Sequence, residues 1–190
     1  MLLRFLPALC IYVNKADLFF RSDEFAMTLP LSDLDPYLSD EEVRQALELL
    51  FFAYRDFTGE PDALLASDGF GRAHHRVIYF VKRNPMITVN RLLGILKITK
   101  QSLSRVLSQL VSEGYINQET DGGDRRRRTL TLTAKGEALE AKLTGCQGAR
   151  IRRAYRAAGA DAVRGFKTVL AQIINEDDRR RFTGGGPHTV

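Results

Sequence analysis

Apolar positions along the chain follow helical spacing over most of its length, with one stretch of strict alternation. Ser39-Asp40-Glu41-Glu42 opens the first clear helix as a capping box, a Ser hydroxyl and a Glu three residues on meeting free backbone N–H groups. Val43, Leu47, Leu50, Tyr54 and Phe57 recur at three to four residues and predict a helix to about Phe57. Ala46, Leu49, Phe51 and Ala53 give it a second apolar face, so both faces must be covered by a core or a partner chain. Thr58-Gly59-Glu60-Pro61 is expected to end it.

Gly69-Phe70-Gly71 precedes a second helix, about Arg72 to Lys82, with Ala73, Val77, Phe80 and Val81 expected inward; Asn84-Pro85 stops it. Ile87-Thr88-Val89 is a short β-like piece. A short helix follows from about Val89 to Leu96 with Leu92, Leu93 and Leu96 apolar. Thr99 opens another to about Glu113, with Val106, Leu107, Leu110 and Val111 inward and Gly114 as the C-terminal cap. Tyr115–Glu119 and Thr129–Thr133 then read as two strands around the turn residues Asp121-Gly122-Gly123-Asp124, Leu130 and Leu132 sharing a face. Thr133 caps a helix containing Leu139 and Leu143; Gly145, Gly148 and Gly159 weaken that stretch without necessarily breaking it. A last helix is expected from about Asp161 to Arg181, with Val163, Phe166, Val169, Leu170 and Ile173 as its stripe. The expected fold is mainly α with a small β-hairpin.

At the ends the pattern fails. Residues 1–38 form an N-terminal extension. Within it residues 1–26, MLLRFLPALCIYV and then polar, resemble a weak signal peptide without a small-residue cleavage site. Met27 offers another start. These residues are expected to lie outside the native fold; the alternative is an arm that packs on a partner subunit. Residues 182–190, with Gly184-Gly185-Gly186-Pro187, are expected to be a flexible tail.

Composition narrows the function. The 190 residues, 44% hydrophobic and 27% charged, can bury a core. No apolar run is long enough to cross a membrane. Cys10 and Cys146 are too few for a disulfide scaffold or a thiolate zinc site. No Ser-His-Asp set, G-x-S-x-G, H-E-x-x-H or Gly-rich phosphate loop occurs, so no enzyme, metal or cofactor is expected.

The net charge of +5 is a weak signal until it is distributed. Ser32–Ala66 carries −7, whereas Lys97–Lys135 carries +4, including Arg125-Arg126-Arg127-Arg128. A second basic run is Arg150, Arg152, Arg153 and Arg156.

Helix, tight turn, helix and basic-tipped hairpin, about residues 72–134, make a winged helix-turn-helix. Thr99, Lys100, Gln101, Ser102, Ser104 and Arg105 carry hydrogen-bonding groups that suit base edges and phosphates, while the four arginines suit phosphates or a narrow minor groove. The bland alternative for each run is a solvated face.

On these residues the chain resembles the MarR family of bacterial regulators. Asp124-Arg125-Arg126-Arg127-Arg128-Thr129-Leu130-Thr131-Leu132-Thr133, with Gly136 after it, is similar to the family pattern D-x-R-x-x-x-L-x-L-T. Ile98–Leu107, with Leu110 and Gly114-Tyr115-Ile116, resembles its recognition helix. The resemblance covers about residues 39–181. Glu48–Phe57 and Gly69–Arg76 resemble the narrower PetP-type subgroup.

The resemblance implies a cytoplasmic homodimer that binds a pseudo-palindromic double-stranded DNA site. Its dimerisation helices would lie at about 39–58 and 134–181. It makes Arg126 the minor-groove arginine of the wing, with Asp124 orienting the wing arginines. Tyr54, Phe57, His74, His75 and Tyr79 are candidates for the pocket of an unknown small-molecule effector, against core packing as the alternative. Adjacent histidines on a helix point about 100° apart, which suits no shared metal. Cys146 is either a redox sensor or an inert thiol, and its helical position favours the latter. The rival readings are a winged-helix module for protein contact, and an enzyme or secreted protein suggested by the apolar N-terminus.

Overall fold

A computed structural model describes residues 38–120 and 128–183. The expectations for residues 1–37, the wing tip 121–127 and the tail 184–190 lie outside the described residues. The chain divides into two units, Met1–Arg44 and Gln45–Val190. In the first, Ser39 Oγ accepts the Glu42 N–H at 3.3 Å, half of the expected capping box.

Six helices and three short strands are present among the described residues. Their order is α1 (Asp40–Ala66), α2 (Arg72–Arg83), β1 (Ile87–Thr88), α3 (Val89–Leu96), α4 (Lys100–Ser112), β2 (Ile116–Thr120), β3 (Arg128–Leu132), α5 (Ala134–Ile173) and α6 (Glu176–Thr183).

Helix α1 runs nine residues past the expected end at Phe57. Pro61 has no N–H for the carbonyl of Phe57, which normally ends or kinks a helix. Here Gln147 Nε2 of α5 donates to that carbonyl at 3.2 Å in its place. Thr58 turns its hydroxyl back to Tyr54 O at 2.9 Å, and both Thr58 and Pro61 are buried. A side chain from 90 residues away thus satisfies the group the proline orphans.

In α2 the inward side is Val77, Ile78 and Val81, with Phe80 half-buried. Ala73 faces water, contrary to expectation. The stripe runs one position later and begins at His74. The Asn84 backbone N–H caps the helix on Phe80 O and Val81 O, so Asn84-Pro85 stops it as anticipated.

The sheet has a third member. Two-residue β1 pairs antiparallel with β3 (Ile87 opposite Leu130, Thr88 opposite Thr129), giving the order β1-β3-β2. Strands β2 and β3 pair from Ile116 opposite Leu132 to Thr120 opposite Arg128. Leu130 is fully buried and Leu132 half-buried, but burial does not alternate along β3, because Thr129 is buried as well and Thr131 is half-buried.

The long C-terminal stretch divides at Gly159, close to the expected division before Asp161, but its second part ends at Ile173 rather than at about Arg181. Helix α5 is interrupted at Gly159, whose φ of 83° lies in the left-handed region that glycine enters freely. Beyond it the helix ends at Ile173, and extended Ile174 separates it from α6. Tyr155 and Phe166, on either side of the Gly159 bend, meet edge to face with ring centroids 6.3 Å apart.

All the fully buried large side chains among the described residues fall between Pro61 and Leu143. They join α2, α3, α4, the sheet and the start of α5 into one core. By contrast Leu47, Leu49, Leu50, Phe51, Phe52 and Tyr54 of α1, and Phe166, Val169 and Ile173 of α5, stand exposed. A patch of this kind marks an interaction surface.

Candidate nucleic-acid interface

Helix α3 ends on Lys97, whose backbone is left-handed at φ 48°, ψ 42°, and whose N–H bonds Leu93 O. This reverses the chain. Thr99 then caps α4, its Oγ1 accepting the Ser102 N–H at 3.2 Å and pairing with Ser102 Oγ at 2.8 Å. Leu103, Val106, Leu107 and Leu110 anchor the back of α4 in the core. Helical geometry therefore sends Lys100, Gln101, Ser104, Arg105 and Ser108 to the opposite face, where all five are exposed and line one open surface.

Of the six positions expected in α4, four thus share the outer face. Thr99 and Ser102 instead engage each other at the cap. Ser108 was missed, although its spacing of four from Ser104 and eight from Lys100 marks the same stripe. A concave surface of about 530 Å³ lies beside the stripe, lined among others by Thr88, Asn90, Ser104, Ser108, Gln118 and Arg128. Asn90 and Gln118 come together only in the fold. Among the described residues no carboxylate pairs with Lys100, Arg105 or Arg128. Arg128 is exposed and pairs with Thr120 at the loop end of the β2–β3 hairpin. Asp124, Arg125, Arg126 and Arg127 lie outside the described residues.

The hairpin is locked to α5 by one threonine. Thr133 Oγ1 donates to Gly114 O at 2.7 Å and accepts the Gly136 N–H at 3.1 Å, so it caps α5 and ties it to the end of α4. Gly136 packs so closely that a Cβ there would lie 2.1 Å from Tyr115 O. Lys135 Nζ sits 4.0 Å from the centroid of the Tyr115 ring.

The candidate effector residues separate into two groups. Tyr54, Phe57, His75 and Tyr79 line one mainly apolar cleft of about 450 Å³ between α1, α2 and α5, edged by Arg72 and Arg76. Burial pushes the His75 imidazole below its ordinary pKa, with Asp62 and Glu140 opposing the shift. His74 points elsewhere. Its Nδ1 accepts the Gly71 N–H at 3.1 Å, which leaves the proton on Nε2 for Gln109 Oε1 at 2.9 Å. It also stacks on Phe70, centroids 4.7 Å apart. It is a connector between α2 and α4.

Cys146 is half-buried, its Sγ donating to Leu143 O at 3.0 Å. Burial, and then Glu60, hold its thiol above the ordinary value. Among the described residues no cluster suits a metal, and no helix is long and apolar enough to cross a membrane.

A helix-turn-helix backed by a three-stranded sheet, with the β2–β3 hairpin beside an outward polar helix face, defines a winged helix-turn-helix protein. The MarR family model matches residues 68–127, which take in α2, β1, α3, α4 and β2 and stop before β3. The HTH-type transcriptional regulator PetP of Rhodobacter capsulatus is 46% identical over 146 residues, spanning 77% of this chain and 88% of that protein. The chain belongs to the MarR family. Solved structures with the same fold include Streptococcus pneumoniae FabT in complex with DNA. Its TM-score is 0.63 at 17% identity, covering 69% of this chain and 94% of that one. A mutant MarR from E. coli complexed with operator DNA has TM-score 0.56 at 20% identity, covering 75% of this chain and 100% of that one.

Proposed function

We propose that the protein is a homodimeric, sequence-specific regulator of transcription that binds double-stranded DNA in the cytoplasm. The observation that carries this is the α4 face. Lys100, Gln101, Ser104, Arg105 and Ser108 project together from a helix whose back is fixed in the core, and among the described residues no carboxylate neutralises its cations. Such a helix fits the major groove, where Gln reads adenine, Arg reads guanine and Lys meets phosphate. The sequence of the wing, Arg125 to Arg128, places further cations for phosphate or the minor groove, with Asp124 to orient them. A protein-docking surface would instead offer aromatic anchors.

The exposed apolar faces of α1 and α5 support a dimer, which would cover them. Two-fold symmetry then asks for a pseudo-palindromic site with half-sites about 10 bp apart. The cleft at Tyr54, Phe57, His75 and Tyr79 is where a small effector would bind, between the helices that pair and those that touch DNA. To regulate, that effector must prefer one of the two states.

Two measurements test the reading. Light scattering should give twice the 21.4 kDa chain mass. In anisotropy titrations with a duplex selected from random sequence, affinity should fall steeply with salt as counterions are released. Arg126→Ala should weaken binding to all sequences, whereas Gln101→Ala or Arg105→Ala should change base preference by about 1–3 kcal/mol. Unchanged binding by the Arg126 variant would remove the wing from the interface.

A further inference from the structure

The turn of the helix-turn-helix is tied to the far end of the chain. Lys97 Nζ lies 2.7 Å from Asp178 Oδ2 in the first turn of α6. Asp178 is only one-quarter exposed, and its second oxygen takes Arg181 Nε at 3.3 Å. The joint before α6 is itself fastened, because Arg179 Nη2 donates to Gln172 O at 3.1 Å and Ile174 O at 3.2 Å.

Two features set Lys97 apart from the cations of α4. Its backbone is left-handed, a conformation that a residue with a Cβ resists and that glycine or asparagine usually supplies at a helix end. Secondly, its charge is matched by a carboxylate, whereas Lys100 and Arg105 project from the next turns with no carboxylate partner among the described residues.

Resting on the DNA-binding reading of α4, we propose that Lys97 and Asp178 are positioning residues: their ion pair fixes the turn that aims α4 into the groove, and Lys97 makes no phosphate contact. Helix α6 acts as a strap. It sets the angle of the recognition helix through Lys97, two residues before the Thr99 cap. Operator affinity then depends on a pair that lies outside the DNA interface.

The test uses the full-length protein carrying Lys97→Met, Asp178→Asn or both. Binding is followed by anisotropy over a salt series, with a duplex selected by the wild type and a scrambled duplex of equal length. Each single variant should lose about two- to fivefold in selected-duplex affinity, the scale of a partly exposed pair. The double variant should lose no more than either single one. The slope of log affinity against log salt should stay unchanged, since no phosphate contact is lost. Hydrogen exchange without DNA should quicken at the Lys97 and Leu103 amides, which bond Leu93 O and Thr99 O. The proposal is overturned if Asp178→Asn tightens binding to both duplexes with a steeper slope, which would mean a freed Lys97 reaches phosphate. Losses that multiply in the double variant, wild-type affinity in the single variants, or a slope about one unit shallower in Lys97→Met would also overturn it. If the wild type binds no duplex, the DNA reading fails. Unchanged exchange at the two amides would then overturn the pair's positioning role independently.

Discussion

Replacing Gly136 by Ala adds one methyl group at the junction of wing and α5. That Cβ would stand 2.1 Å from Tyr115 O, 3.1 Å from Tyr115 C and 3.4 Å from Leu132 Cβ. An ordinary carbon–oxygen contact is about 3.3 Å, so the helix start must retreat by roughly 1 Å. The obstacle is backbone, and it cannot rotate aside: Tyr115 O also receives the Thr133 N–H at 3.1 Å. Retreat opens the Thr133 bonds to Gly136 and Gly114. Losing a cap costs about 1 kcal/mol, and forcing a methyl into a packed site costs about 1–3 kcal/mol. Better helix propensity returns up to about 1 kcal/mol. The net expectation is a loss of roughly 1–3 kcal/mol, lowering the urea midpoint by about 1 M. The assay is urea unfolding at one fixed protein concentration, because association contributes to apparent stability. Gly94→Ala serves as control. Gly94 is an exposed position in α3 where a Cβ meets nothing within 4 Å, and this change should leave stability equal or raise it by up to about 1 kcal/mol. A Gly136→Ala protein as stable as the wild type would refute the close-approach argument.

Three further outcomes are expected. Gln147→Leu should cost about 1 kcal/mol in the same unfolding assay, because the Phe57 carbonyl that Pro61 cannot serve loses its donor. His75 favours its neutral form when folded, so the unfolded chain binds the extra proton; stability should be fully present above about pH 6.5 and decline as pH falls through the depressed folded value. His75→Gln should flatten that acid limb of midpoint against pH, and an unchanged limb would assign it to other groups. Cys146 should react with iodoacetamide at pH 8 more slowly in the native protein than in urea, since burial keeps the thiol protonated; equal rates would count against the inert-thiol reading.

Much of this architecture is local in origin and therefore legible in the sequence. The Thr99 cap, the Leu103–Leu110 spacing and Gly114 (φ 75°) define α4 by themselves. The alternation of Leu130 and Leu132 marks β3 as a strand, and Leu130 is its fully buried member. The differences arise where distant residues decide. A proline ended α1 on paper, yet Gln147 supplies what the proline removes. In α2, His74 begins the inward stripe because Gly71 and Gln109 satisfy both ring nitrogens, so an apolar count shifted the face onto Ala73. Ile87 and Thr88 read as β-like from the sequence, but their pairing with β3 needed the assembled sheet. The Lys97–Asp178 pair spans 81 positions, and no local pattern joins its two ends. In the site, Ser108 was within reach of the α4 periodicity, while Asn90 and Gln118 needed the sheet and helix to be assembled.

The unequal distribution of buried side chains has a consequence for dose. Residues 61–143 hold the fully buried core, while much of the apolar surface of α1 and late α5 waits for cover. Under the proposed pairing, a diluted chain keeps a shaped reading head but carries only one, and a single head grips half a site. Occupancy of a paired site would then grow with the square of protein abundance at low levels, so a modest change in synthesis would act as a sharp threshold on the target.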